Sequence, residues 1–165
     1  MGLTTCEKKA KRLFERELKR WRNILLIDPI WTFKLTILED EEMEHGDANV
    51  DIGQSEYYLA HINVSKHLLS LNEEQLEQTA AHVACHEMLH IAMADYQRAA
   101  LVAAGDNKQM REELDYRYEQ LVSRLSMILL DFDSEVQDGS ACGEDSGPAA
   151  EVLRVPEMPT GEQDS

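Results

Sequence analysis

Cysteine is scarce in this chain of 165 residues, limited to Cys6, Cys85 and Cys142. An odd set without paired spacing excludes both a disulfide framework and a zinc ribbon, and it points to free thiols in a reducing compartment. Long apolar runs are missing as well. No stretch approaches the roughly eighteen apolar residues that a membrane helix needs. The opening segment MGLTTCEKKAKRLFERELKRWRN also lacks the apolar core of a secretory signal. The expectation is a soluble cytoplasmic protein with no membrane partner. Basic residues are few, 16 against 32 acidic ones for a net charge of −16, so phosphate backbones are repelled and direct nucleic-acid binding is not expected.

What charge there is lies unevenly. Lys8, Lys9, Lys11, Arg12, Arg16, Lys19, Arg20 and Arg22 crowd the beginning, whereas from Ser134 onward eight acidic residues meet a single base, Arg154. Two solvated segments account for this most simply, although the basic start and the acidic end are also complementary. The length suits one domain. Residues 1–133 are read as that domain. Residues 134–165, rich in Gly, Ser, Pro and acid and poor in bulky side chains, are expected to form an acidic disordered tail.

Within the domain the periodicity changes several times. Phe14, Leu18, Trp21 and Leu25 make one apolar stripe at steps of four, three and four, the mark of an amphipathic helix that should stop at Asp28-Pro29. In WTFKLTIL, Trp31, Phe33, Leu35 and Ile37 alternate with polar residues, as a half-buried strand requires. The acidic run from Glu39 to Asp47 carries no period and reads as a surface connection. YYLAHINVS, Tyr57 to Ser65, predicts a second strand that pairs with the first. Asn72 followed by Gln75 signals the start of a helix from about Glu73 to the region of Ala100, and Gly105, Asp106 and Asn107 break it. A last helix, Lys108 to Leu130, should turn Met110, Leu114, Leu121, Leu125 and Ile128 to the core. The fold class predicted is α+β: an N-terminal amphipathic helix, a small two- to three-stranded sheet, then two helices.

The first of those two helices carries HEMLH. Residues four apart stand one turn above each other, so His86 and His90 present two imidazoles to one ion. Glu87 is offset by about 100° round the helix, which suits a carboxylate that takes a proton from a zinc-activated water instead of binding the zinc. Ionisable residues set among Val83, Ala84, Cys85, Met88, Leu89 and Ile91 are costly to bury unless something binds them. His82 extends the row, but it stands about 12 Å from His90 along the axis, so one ion cannot take both. It reads as a supporting or surface residue, and His61 as a residue that lines the cleft at most.

A catalytic zinc usually keeps three protein ligands and one open position. The metzincin spacing fails, because Met93 and Tyr96 occupy the places of its glycine and third ligand. On the last helix, Glu119 borders the stripe of Val122, Leu125 and Leu129, whereas Glu113 falls on the far side. Followed by QLVSRLSMILL, Glu119 resembles the glutamate that follows HExxH in small gluzincins. The chain from about Trp31 to Leu130 is similar to the minimal metallopeptidase domain of phage and prophage proteins, and more loosely to the ImmA/IrrE metallopeptidases. That resemblance implies a zincin-like domain in which His86, His90 and Glu119 are the Zn2+ ligands and Glu87 is the catalytic base. Tyr118 stands where the thermolysin pattern has Asn, so Asp115 and Glu113 remain alternatives to Glu119.

The function expected is a zinc-dependent peptidase acting on a protein or peptide substrate. The competing class is a catalytically silent zincin-fold protein that engages a partner, but a purely structural zinc has no use for Glu87. A protease of the SprT type, acting on DNA-bound proteins, is disfavoured by the net charge.

Overall fold

The first helix, α1 (Thr5–Ile24), follows from its stripe: Ala10, Phe14, Leu18 and Trp21 are all buried. Thr4 and Glu7 close a reciprocal capping box at its start, satisfying N–H groups that have no intrahelical partner. The helix ends four residues before Asp28, where Leu26 adopts φ +52. The computed structural model describes residues 4–43, 46–52 and 58–140, and of the tail expected over 134–165 the part from 141 onward lies outside them.

Two strands fall where alternation put them. These are β1 (Thr32–Leu38) and the strand Leu59–Ser65, here β3, whose Ala60, Ile62 and Val64 are buried. The expected pairing is present and parallel, with Thr32 opposite Leu59 and Leu38 opposite Ser65. A third strand, β2 (Ala48–Ile52), follows the acidic stretch and pairs antiparallel with β3, giving the order β1-β3-β2. Among its described residues the acidic stretch holds a 3-10 turn at Asp40–Glu42. The β2 sequence ANVDI does alternate. However, it is five residues long and carries Asn and Asp, residues depleted in strands, so it carries a weak signal. Its pairing is helped by Asn63, whose amide donates to Asn49 Oδ1 at 3.0 Å across the ladder.

Helix α2 (Glu73–Ala92) starts as its sequence signals, with the Asn72 side chain accepting from the Gln75 amide at 2.9 Å. It does not continue to Ala100. Met93, at φ −103 and ψ 4, ends it and begins a separate helix, α3 (Ala94–Ala104), which Gly105 terminates at φ +55. No Gly or Pro marks this bend. It lets α3 leave the axis of α2 and pack on α4 (Lys108–Ser140). The last helix runs ten residues past Leu130, and so beyond the domain boundary placed after Asp133.

Its buried face also differs from expectation. Val122 and Ser126 are fully buried and Tyr118, Leu125 and Leu129 pack on the core, whereas Met110, Leu121 and Ile128 are exposed. The helix carries two adjoining apolar stripes, and α2 covers only the one centred on Val122. α2 and α4 run antiparallel, as shown by Cys85 against Ser126 and His90 against Tyr118. α1 and α2 run side by side in the same direction, Lys9 meeting Glu73 and Arg16 meeting Glu77. The architecture is α+β, with helices on a small three-stranded sheet. Among the described residues no helix is long and apolar enough to cross a membrane.

Candidate metal centre

Where α2 crosses α4, three side chains converge. His90 Nε2 lies 3.2 Å from His86 Nε2, Glu119 Oε2 lies 3.8 Å from His86 Nε2, and Glu119 Oε1 lies 3.5 Å from His90 Nε2. Tetrahedral zinc with bonds of about 2.0–2.1 Å has ligand-to-ligand edges of roughly 3.4 Å. With one ligand atom from each residue the three lie within 4.8 Å of one another, close enough to hold one ion after a small shift of the Glu119 carboxylate, and they form the only such triplet of His, Cys or acidic residues among the described residues. Asp115 is outside the triplet, its carboxylate accepting from the Gln97 amide at 3.4 Å. Glu113 is paired with Arg117 at 2.7 Å on the exposed face of α4.

The protonation states agree with a metal-binding role. Burial pushes both imidazoles down to about 4, reinforced at His86 by His90 and His82, so both are neutral near pH 7. Their short contacts to Glu119 are consequently not ion pairs at neutral pH. They are instead two lone-pair donors held against a carboxylate, the form in which these groups ligate metal. The Glu119 carboxyl is itself raised by burial, countered by His86 and assisted by Asp115.

Glu87 is outside the triplet and buried, with only 4% of its surface exposed. Burial, and then the neighbouring Glu119, push its carboxyl up to about 8. It shares with the His/His/Glu group a cavity of about 620 Å³. One wall of that cavity is Ala48, Asn49, Val50 and Ile52 of β2, and Gln97 of α3 borders it as well. None of these was singled out from the sequence. The β2 alternation could have been found, whereas Gln97 lies on α3, beyond a bend at Met93 that no local signal marks.

In the sequence Tyr118 is a departure from the thermolysin pattern; in the fold it joins the two helices. Its hydroxyl donates to the His90 carbonyl at 3.1 Å and its ring stands 5.2 Å from the His90 imidazole. The last carbonyls of a helix lack intrahelical donors, so this bond supplies one where α2 ends. His82 is exposed and stacks on His86 at 6.4 Å between ring centres, while His61 does not line the cavity. Compared with protein-family models, curated proteins and solved structures, the chain matches none.

Proposed function

We propose that this protein is a zinc-dependent peptidase that binds one ion through His86, His90 and Glu119 and uses Glu87 as general base. The observation that carries the reading is the pairing of a convergent His/His/Glu triplet with a buried carboxylate that faces the same cavity and has no cation of its own among the described residues. The ligand set, the buried base and the helical order are those of the small HExxH metallopeptidases that the sequence resembles. When bound, zinc supplies Lewis acidity, polarising a carbonyl and acidifying a water.

The rest falls to the chain. Glu87 accepts the water proton on a carboxylate oxygen and passes it to the departing amine nitrogen, which balances hydrolysis of a peptide bond. Burial and Glu119 make ionised Glu87 costly, and a dication nearby would favour that form, so the base is armed where the ion is held. Tyr118 fixes the end of α2 and with it the His90 ring. β2 pairs on one side with β3, and as the last strand of the sheet it borders the cavity with an edge to which an extended peptide can add.

The test is metal analysis of protein purified without a metal-binding tag, paired with a proteome-wide cleavage assay of wild type and Glu87→Gln. Stoichiometric zinc, cleavage by wild type and none by the zinc-loaded variant are expected. Absence of zinc, or equal cleavage by both proteins, overturns the reading.

A further inference from the structure

Far from the metal centre, α1 and the start of α2 leave an apolar groove of about 470 Å³ between them. Leu13, Leu71 and Leu76 line it, and Lys9, Arg12 and Arg16 stand along its α1 side. Lys9 and Arg16 reach across to Glu73 and Glu77 at 2.7 and 4.0 Å, pairs exposed enough to be exchanged at little cost. In a protein of net charge −16, α1 is the exception, with eight basic against three acidic residues. We propose that the groove is the docking site of the chain's own acidic C-terminal segment, anchored by Val152, Leu153 and Val155.

Charge supplies the first argument. Residues 141–165 hold six acidic residues and one base, a net −5 opposite in sign to the net +5 of α1, three of whose bases line the groove facing Glu73 and Glu77. The second is the distribution of apolar side chains. All the bulky apolar residues of that segment, Val152, Leu153, Val155 and Met158, fall within seven positions, and Glu151 and Glu157 flank the first three. Such a cluster gives the apolar floor something to bury while the acids meet the basic side.

Reach and direction supply the third. Arg20 of α1 bonds Asp133 of α4, which sets α4 against the same flank of α1 that carries Arg16 and Lys9. Because α4 runs antiparallel to α2, and α1 runs along α2, chain leaving Asp133 heads toward the start of α1, where the groove lies. Arg16 is one helical turn from Arg20. From Ser140 to Leu153 the chain can extend about 40 Å, several times that step.

The test is made on the full chain. Hydrogen exchange is expected to show at least tenfold protection of the Leu153 and Val155 amides over unprotected rates. Protection should be lost in Leu153→Asp/Val155→Asp and reduced in Arg12→Glu. Zero-length carbodiimide coupling of an equal mixture of isotopically light and heavy protein should join Lys8 or Lys9 to Glu151 or Glu157 within one chain. Unprotected amides in wild type, protection that survives Arg12→Glu undiminished, or links only between light and heavy chains would each overturn the proposal, the last by giving the groove to a second copy. Unchanged protection of the buried α2 amides in each variant separates loss of docking from loss of folding.

Discussion

Two glutamates, Glu17 on α1 and Glu87 on α2, are buried to nearly the same degree, with 5% and 4% of their surfaces exposed, yet their surroundings are opposite. Glu17 accepts from Arg16 Nε at 2.9 Å and from Arg20 at 3.2 Å, and Arg20 carries the connection on to Asp133 of α4. Glu87 has neither guanidinium nor ammonium beside it among the described residues, and the charged group that acts on it is another carboxylate, Glu119. A buried charge whose partners are built in joins elements together. A buried charge left without one is costly unless a ligand completes it. The contrast separates the end of the helical layer whose buried carboxylate is tied into the fold from the end whose buried carboxylate faces the His86/His90/Glu119 cavity.

The comparison is broken most completely at the donors themselves. His86→Ala or His90→Ala should reduce zinc from about one ion per chain to none after gel filtration, because two remaining ligands rarely retain it. Full occupancy in either variant would remove the site. Glu119→Ala should cost more than about 100-fold in zinc affinity by chelator competition, beyond the range for groups that only orient a ligand. Glu113→Ala should change it little, and equal losses would move the third ligand to Asp115.

Next in size is the carboxylate without a partner. With zinc removed, folded Glu87 keeps its proton up to about pH 8, whereas in the unfolded chain the group ionises near 4.5. Between those values the native state binds more protons than the unfolded one, so this group lowers stability as pH rises, and the full cost is reached above about 8. Glu87→Gln does not titrate. Its stabilisation of the metal-free protein should be near zero at pH 4 and grow to a few kcal/mol by pH 9, as read from urea midpoints. A gain independent of pH would mean that Glu87 is not buried as described.

Smaller effects sharpen the other side. Arg20→Ala leaves Glu17 with Arg16 alone and removes the tie to Asp133; as the guanidinium is partly exposed, a loss of about 1–2 kcal/mol is expected, with zinc content unchanged. Tyr118→Phe removes one hydrogen bond to the end of α2, worth about 1 kcal/mol. It should also lower zinc affinity by less than about tenfold through the freer His90 ring, and no change in affinity would reduce Tyr118 to a packing residue.

Much of this was legible in the chain. Stripes at helical and strand spacing set α1, β1 and β3, and the Asn72 cap set the start of α2, because each reports local burial or local bonding. HEMLH put two imidazoles and a carboxylate on one turn for the same reason. Less legible was the covered side of α4, since two apolar stripes adjoin and only the neighbouring α2 selects between them.

By itself, then, the sequence determined the order of most elements and the pair His86/His90 with Glu87, all properties of a single helix or strand. The tertiary structure alone decided that α2 bends at Met93, that β2 walls the cavity, and that Glu119 comes within 3.8 Å of His86 while Asp115, one turn away, does not. These depend on how helices lie across one another, and a helix carries the same local signals whichever neighbour it meets.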